Sequence, residues 1–438
     1  MPIIEEEILV AINQGLILIE PHLRVAWRVF LNWWWLFLPF ILWKRAVFFW
    51  LWWREEIFDN KQKNILLEIR IPKENLKPMR AMELVFTGLW QIYSPPAWIE
   101  KWWDGQYLLS YSFEIAAIDG IPHFFIRCNK LVKELVETHI YSQFPEAEVF
   151  EVEDYTKKVP QDIPNKEWNF WGTDYKLIKK SCYPIKTYLD FETERETKEE
   201  KRIDPMSALL EGLAGTKKGE QIWVQIRAKP FLDEIPWVKE GKEEINTLVN
   251  RKKPSVVGSL IGDLINILMG KPLTEKKEEK DLIPPEMKLT PGEREIVSAI
   301  ERKTSKLGYE VLVRYACLIK KEVGKPNSRL PMSYFTNFVT SNLNSMVPNG
   351  ETMTKIRRKW YDPFWFPQRR LYLKKRKTFR RITTRLPYYF PLSGGTFILN
   401  VEELATIYHF PSKILTPASP VPRVEAKKGE APLELPVE

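Results

Sequence analysis

Residues 29–53 read VFLNWWWLFLPFILW, then Lys44-Arg45, then AVFFWLWW. No other stretch restricts the fold so severely, because a helix that is apolar on all sides must be buried, in protein or in lipid. Eight of the chain's 18 tryptophans fall within residues 27–53. A fifteen-residue helix over 29–43 rises roughly 22 Å, short of a hydrocarbon core of roughly 30 Å. Extension back through Ala26 and Trp27, or forward past Lys44 and Arg45 with their side chains snorkelling outward, closes the difference. Indoles favour the membrane–water boundary. Trp33, Trp34, Trp35, Trp43, Trp50, Trp52 and Trp53 are therefore the expected anchor residues of one transmembrane helix over about 27–53. A Trp-rich helix buried in protein is the competing reading. The acidic start MPIIEEE, with no small-residue cleavage site after the apolar run, does not fit a secretory signal. Arg24 and Arg28 precede the run, whereas Lys44, Arg45, Arg54, Lys61 and Lys63 accompany or follow it. That bias predicts a single-pass protein whose soluble part, after the run, lies in the cytoplasm.

Beyond the anchor the chain alternates strand and helix periods. ILLEIRI (65–71) reads as a half-buried strand. Met82, Val85, Phe86, Leu89 and Tyr93 recur at helical spacing after Pro78. YSFEIAAI and PHFFIRC, separated by Asp119-Gly120, predict a strand pair; residues 131–144 return to helical period, and AEVFEVED (147–154) is a further strand. This βαββαβ order is the split βαβ, or ferredoxin-like, plan. PMRAM (78–82) recurs as PMSAL (205–209), each opening an amphipathic helix, and YEVLVRYACLI (309–319) alternates cleanly. Thr290-Pro291-Gly292-Glu293 is a capping box with Pro at the first helical position. The expected architecture is α+β: the anchor in residues 1–63, a ferredoxin-like unit in 64–160 and a second such unit in 161–325. An insertion over about 231–289 interrupts the second unit. Its apolar run SVVGSLIGDLINILMGK is too short to span a bilayer and packs either on protein or in the membrane interface. Residues 326–415 hold a basic aromatic segment and a short C-terminal helix, and 416–438 form a Pro-rich extended tail.

Catalytic chemistry is not readable. GLAGTKKG (212–219) and MGKP (269–272) lack the spacing of a phosphate-binding loop. His22, His123, His139 and His409 have no ligand partner at metal spacing in the sequence, and three distant cysteines (Cys128, Cys182, Cys317) predict reduced structural thiols. Glu402-Glu403 fit the start of a short helix, and Gly394-Gly395 a turn. No catalytic residue, cofactor or metal is predicted, and the chain is not expected to be an enzyme.

Charge is distributed very unevenly. Residues 355–385 carry thirteen Lys/Arg against Asp362 alone, a net +12 in a chain whose total is +9. The candidate phosphate-binding residues are Arg357, Arg358, Lys359, Arg369, Arg370, Lys374, Lys375, Arg376, Lys377, Arg380, Arg381 and Arg385. Interleaved aromatics such as Trp360, Trp365, Tyr372 and Phe379 add stacking or interface-seeking faces. Such density self-repels, so nucleic-acid phosphate, anionic lipid headgroups or plain solvent must neutralise it.

ILLEIRIPKEN (65–75), IYSPP (92–96), AEVFEVEDYTKKVP (147–160), GEQIWVQIRAKP (219–230), LTPGEREIVSAIERKTSKLGYEV (289–311), FILNVEELATIYHFPS (397–412) and PRVEAKKGEAPLELP (422–436) belong together. Over roughly 64–438 they resemble a bacterial membrane-protein family equivalent to the non-ATPase N-terminal part of type IV secretion and conjugative DNA-transfer ATPases. In longer relatives the string resembling EELATIYHFP precedes the motor domain, whose ATP-binding residues have no counterpart here. The resemblance implies a non-catalytic, membrane-anchored scaffold or accessory subunit that docks a separate ATPase. Membrane lipid, DNA and further copies of the chain are its other expected partners. The alternative is a membrane-surface structural protein that binds anionic lipid through the basic segment, without nucleic acid.

Overall fold

A computed structural model describes residues 21, 24–25, 27–72, 77–191, 204–232, 237–250, 289–327, 329–356, 366–389 and 394–411. The chain divides into two compact units, one of residues 1–61 with 96–107, the other of residues 62–95 with 108–438.

In the first unit a 3-10 turn at Trp34–Phe37 leads into helix α1, Leu38–Lys61. The segment 96–107 packs against the C-terminal half of α1. The Trp50 indole donates to the Trp102 carbonyl at 2.9 Å, Phe58 meets Tyr107 edge-on, and the Tyr107 hydroxyl donates to Asp59. Gly105, at φ 68°, permits the approach, since a Cβ there would lie 2.3 Å from the Arg54 carbonyl carbon. Among the described residues no helix is long and apolar enough to cross a membrane. The run expected to span one is divided by the 3-10 turn and by Lys44-Arg45 inside α1.

The second unit is α+β around an open antiparallel sheet of nine strands among the described residues. Its first half comprises β1 (Asn64–Arg70), α2 (Arg80–Leu89), β2 (Tyr111–Ile118), β3 (Ile121–Asn129), α3 (Lys133–Gln143) and β4 (Glu148–Val152). Its second comprises β5 (Trp168–Leu177), α4 (Pro205–Ala214), β6 (Glu220–Phe231), α5 (Trp237–Asn250), α6 (Pro291–Thr304), β7 (Gly308–Lys320), α7 (Arg329–Thr336) and β8 (Met346–Pro348). Helix α8 (Pro367–Thr383), strand β9 (Phe397–Asn400) and helix α9 (Val401–Ile407) follow.

The lateral order is β4-β1-β3-β2-β6-β7-β5-β8, with β9 on the start of β7. Each half therefore runs fourth, first, third, second, and the two second strands meet: β2 and β6 pair from Tyr111–Ala228 to Ile118–Gln221. Residues 64–160 and 161–325 thus share one sheet. The PMRAM and PMSAL strings open the equivalent helices α2 and α4. Between β6 and β7 lie α5 and α6, which pack on each other; the apolar run of the insertion lies outside the described residues, as does the tail 416–438. Thr290 and Glu293 close the capping box of α6.

Strand alternation gives the sheet two buried faces. One carries Ile69, Phe113, Ile126, Val224, Val313 and Tyr315 beneath α2, α3, α4, α7 and α9. The other carries Leu66, Phe125, Phe170, Trp223 and Leu318 beneath Tyr155, Ile163, Phe379 and Ile382, the last two from α8. All of residues 401–410 are buried. Glu402 and Glu403 sit in the first turn of α9, and Asn400 and Glu403 form its capping box.

Candidate polyanion-binding helix

Eight cations in seventeen residues disfavour a helix through mutual repulsion, so α8 depends on tertiary packing. Pro367 starts it at the first helical position, behind Phe366 in a left-handed conformation. Phe379 and Ile382 are buried in the sheet face that they cover. The Phe379 ring lies 5.5 Å from that of Phe170, and Gly172 on β5 leaves room for the Ile382 methyl.

The packing turns the charges outward. Arg369, Arg370, Arg376, Lys377 and Arg380 are exposed, and Lys374, Lys375 and Arg381 are half-buried along the edges. Tyr372, Leu373 and Phe366 lie exposed among them. Burial holds the ammonium groups of Lys374, Lys375 and Lys377 below the ordinary lysine range. Neighbouring Arg370, Lys321 and Arg381 respectively push the same way, while Glu351 opposes the shift at Lys374. Arg357, Arg358 and Lys359 lie outside the described residues.

Arg385 does not belong to this surface. It is 2 % exposed, at φ 57°, and its guanidinium binds Glu114 through Nε (3.0 Å) and Nη2 (3.1 Å). The same group binds both carboxylate oxygens of Asp154 and the Thr156 hydroxyl. Glu114 also accepts from Ser112 and Tyr155. Gln225 donates to the Tyr155 hydroxyl and accepts from Arg314, whose Nη1 donates to the Leu386 carbonyl at 2.8 Å. The polar row Glu114, Gln225, Arg314, Asp174 crosses four strands in direct register. Together Arg385 and Arg314 tie the chain just after α8 to the sheet.

Sequence reasoning also missed two cations. Lys166 and Lys321 join Lys375 and Arg376 around a cleft of about 530 Å³ beside α8, where Lys375 donates to Asn169 at 2.7 Å. Lys321 follows the end of β7, a position with no linear signal.

Among the described residues no group of three or more His, Cys, Asp or Glu side chains could hold a metal ion. The three cysteines are buried and unbridged, and burial pushes Cys128 up to about 12 and Cys182 to about 11. The fold does bring carboxylates to two histidines that stand alone in sequence. His123 Nδ1 lies 2.7 Å from Glu68, and buried His409 has Nε2 2.9 Å from Asp204 and Nδ1 3.1 Å from the Thr406 carbonyl. His409 thereby joins α9 to the N-cap of α4. No protein-family model and no curated protein matches the chain.

Proposed function

We propose that this chain is a non-catalytic scaffold or accessory subunit of a type IV secretion- or conjugation-like DNA-translocation machine, docking a separate ATPase. In this reading the Trp-rich helix anchors it as a single-pass protein of the inner membrane, with the sheet unit in the cytoplasm. Its two halves are ferredoxin-like units joined edge to edge. The outward face of α8 is the observation that carries the polyanion part: five exposed cations on a helix fixed to the sheet through its opposite side. A fixed array of that kind binds phosphate without first ordering long, flexible side chains on a mobile segment. The string resemblance supplies the machine, and the exposure of large apolar side chains such as Trp27, Phe30, Trp33, Trp35, Trp43 and Trp53 supports the anchor.

The full chain in neutral-lipid nanodiscs tests the reading by fluorescence anisotropy with a labelled DNA fragment. Affinity should fall linearly in log–log terms as salt rises. Combining Arg369→Glu, Arg376→Glu and Arg380→Glu should abolish binding. Absence of DNA binding by the wild type at low salt overturns the DNA role. The lipid reading draws on Leu373 and Tyr372, exposed among the cations as on helices that lie in a membrane interface. It predicts the reverse: no DNA binding, but retention of the cationic face on anionic vesicles.

A further inference from the structure

The second tryptophan cluster, PAWIEKWW (96–103), has no role in the reading above. It belongs to the first unit, although thirty-four residues of chain separate it from the end of α1. Its position along α1 is informative. Trp102 and Trp103 meet α1 at Trp50, by the indole hydrogen bond and by a T-shaped ring contact at 5.6 Å. Trp50 in turn contacts Trp53, and the Arg54 guanidinium lies within 6 Å of both rings. The cluster is thus placed where α1 changes from apolar (46–53) to charged (Arg54, Glu55, Glu56, Asp59, Lys61).

The short helical turn over 98–104 leaves its largest side chains uncovered: Trp98 is 68 % exposed, Ile99 64 % and Trp103 56 %. They alternate with Glu100, Lys101 and Asp104 on the same turn. A water-facing surface turn gains nothing from two bare indoles and an isoleucine, whose transfer out of water is favourable. Indoles with charged neighbours, at the level where an apolar helix turns polar, match one environment: the boundary between phospholipid headgroups and acyl chains.

We infer that residues 97–104 form a second membrane contact, an interfacial wedge that inserts Trp98, Ile99 and Trp103 into the headgroup boundary beside the point where α1 leaves it. This rests on the anchor reading and fixes where along α1 the bilayer surface lies. The pairing with Trp50 sets the depth, so the wedge acts as a stop and not merely as added apolar area.

Depth-resolved quenching tests it. A nitrobenzoxadiazole label is attached to full-length chains carrying Ile99→Cys, Trp103→Cys, Trp43→Cys or Lys61→Cys, reconstituted in phosphatidylethanolamine–phosphatidylglycerol vesicles. The native cysteines are buried, and Lys61, exposed at the polar end of α1 in the same unit, is the control. Labels at 99 and 103 should be quenched more by a nitroxide near the headgroup than by one deep in the acyl chain. The label at 61 should be quenched less than those at 99 and 103 by the headgroup nitroxide, and not at all by the deep one. Quenching at 43 without quenching at 99 and 103 overturns the wedge and leaves the anchor standing. No quenching at 43, 99 or 103, with the chain left in the supernatant, overturns both.

Discussion

Arg385 is one of thirteen basic residues in 355–385 and is indistinguishable from the others in the sequence. Its conformation separates it: the chain turns left-handed after α8 and points the guanidinium into the sheet face, where Glu114 waits on β2. Arg385→Ala leaves fully buried Glu114 and half-buried Asp154 without their counter-charge and should cost roughly 3–5 kcal/mol. Arg380→Ala, on the exposed face, should stay within roughly 0.5 kcal/mol. Urea melts of the two variants check the contrast, and equal effects would place Arg385 on the surface. The same row makes stability depend on pH in two senses. Burial by itself raises Glu114 and Asp154, but the charge and hydrogen bonds of Arg385 outweigh it and hold both below the usual range. A depressed folded-state value gives stability that is complete above the unfolded value of about 4 and is lost as pH falls through the folded one. Asp174 has the opposite sign. Burial pushes it up to about 6, only partly countered by Arg314 and Thr352. The folded state then binds that proton more tightly, so the cost of ionising Asp174 is absent at low pH and complete above about 6. The melting temperature should therefore rise as pH is lowered from 7.5 to about 5 and fall below about 4. Asp174→Asn should flatten the upper limb and spare the lower.

At the scale of elements, each half of the sheet uses a glycine to bring its two covering helices together. A Cβ on Gly88 of α2 would lie 2.1 Å from the His139 ring on α3, and one on Gly212 of α4 would lie 2.1 Å from Leu330 on α7. Helix propensity alone favours alanine over glycine by roughly 1 kcal/mol. Contact wins here, because overlap of that depth displaces a whole side chain and typically costs about 1–3 kcal/mol. Gly88→Ala and Gly212→Ala should both lower the melting temperature, while Gly292→Ala, whose added Cβ meets nothing within 4 Å, should not. Helix α8 obeys the same arithmetic in a charged setting. Its attachment rests on Phe379 and Ile382, and removing the Phe379 ring by Phe379→Ala should cost roughly 3–5 kcal/mol. Hydrogen exchange across 367–383 should then rise far more than exchange in α2 or α4. Uniform loosening of all three would mean that α8 is no separate attachment.

At the scale of the molecule, what the sequence reveals follows the range of the interactions. The period-two runs of β1, β2, β3 and β7, the capping box of α6 and the charge on α8 are local properties, and each is readable from its own residues. The joint between β2 and β6, the clamp on Arg385, and the cleft cations Lys166 and Lys321 depend on residues tens to hundreds of positions apart. The same distinction explains the segment 397–411, which the sequence presents as a short helix at the end of the chain. In the structure β9 adds to β7, and α9 packs on α2, an element from the opposite half. Tyr408 contacts Phe86, Phe113 and Phe124 of the first half, Phe410 contacts Phe124 and Phe144, and Tyr334 of the second half donates to the Ile407 carbonyl. Lys303 and Glu403, both with fully buried side chains, pair beneath α9 at 2.9 Å, and Glu403 also accepts from the Ile185 and Asn400 amides. The two halves are thus held by the sheet joint on one side and by this segment over the other. A chain ending at Gly395 loses Phe397, Leu399, Leu404, Tyr408 and Phe410 from the core. At roughly 2–5 kcal/mol for each large side chain, the loss is as large as the whole of the roughly 5–15 kcal/mol that holds a domain folded. Its cooperative transition should disappear, and amides of β2 and β3 should exchange as fast as those of β7. Slow exchange surviving in β2 and β3 would show that the first half folds without the segment, and that the chain is two domains sharing a sheet edge.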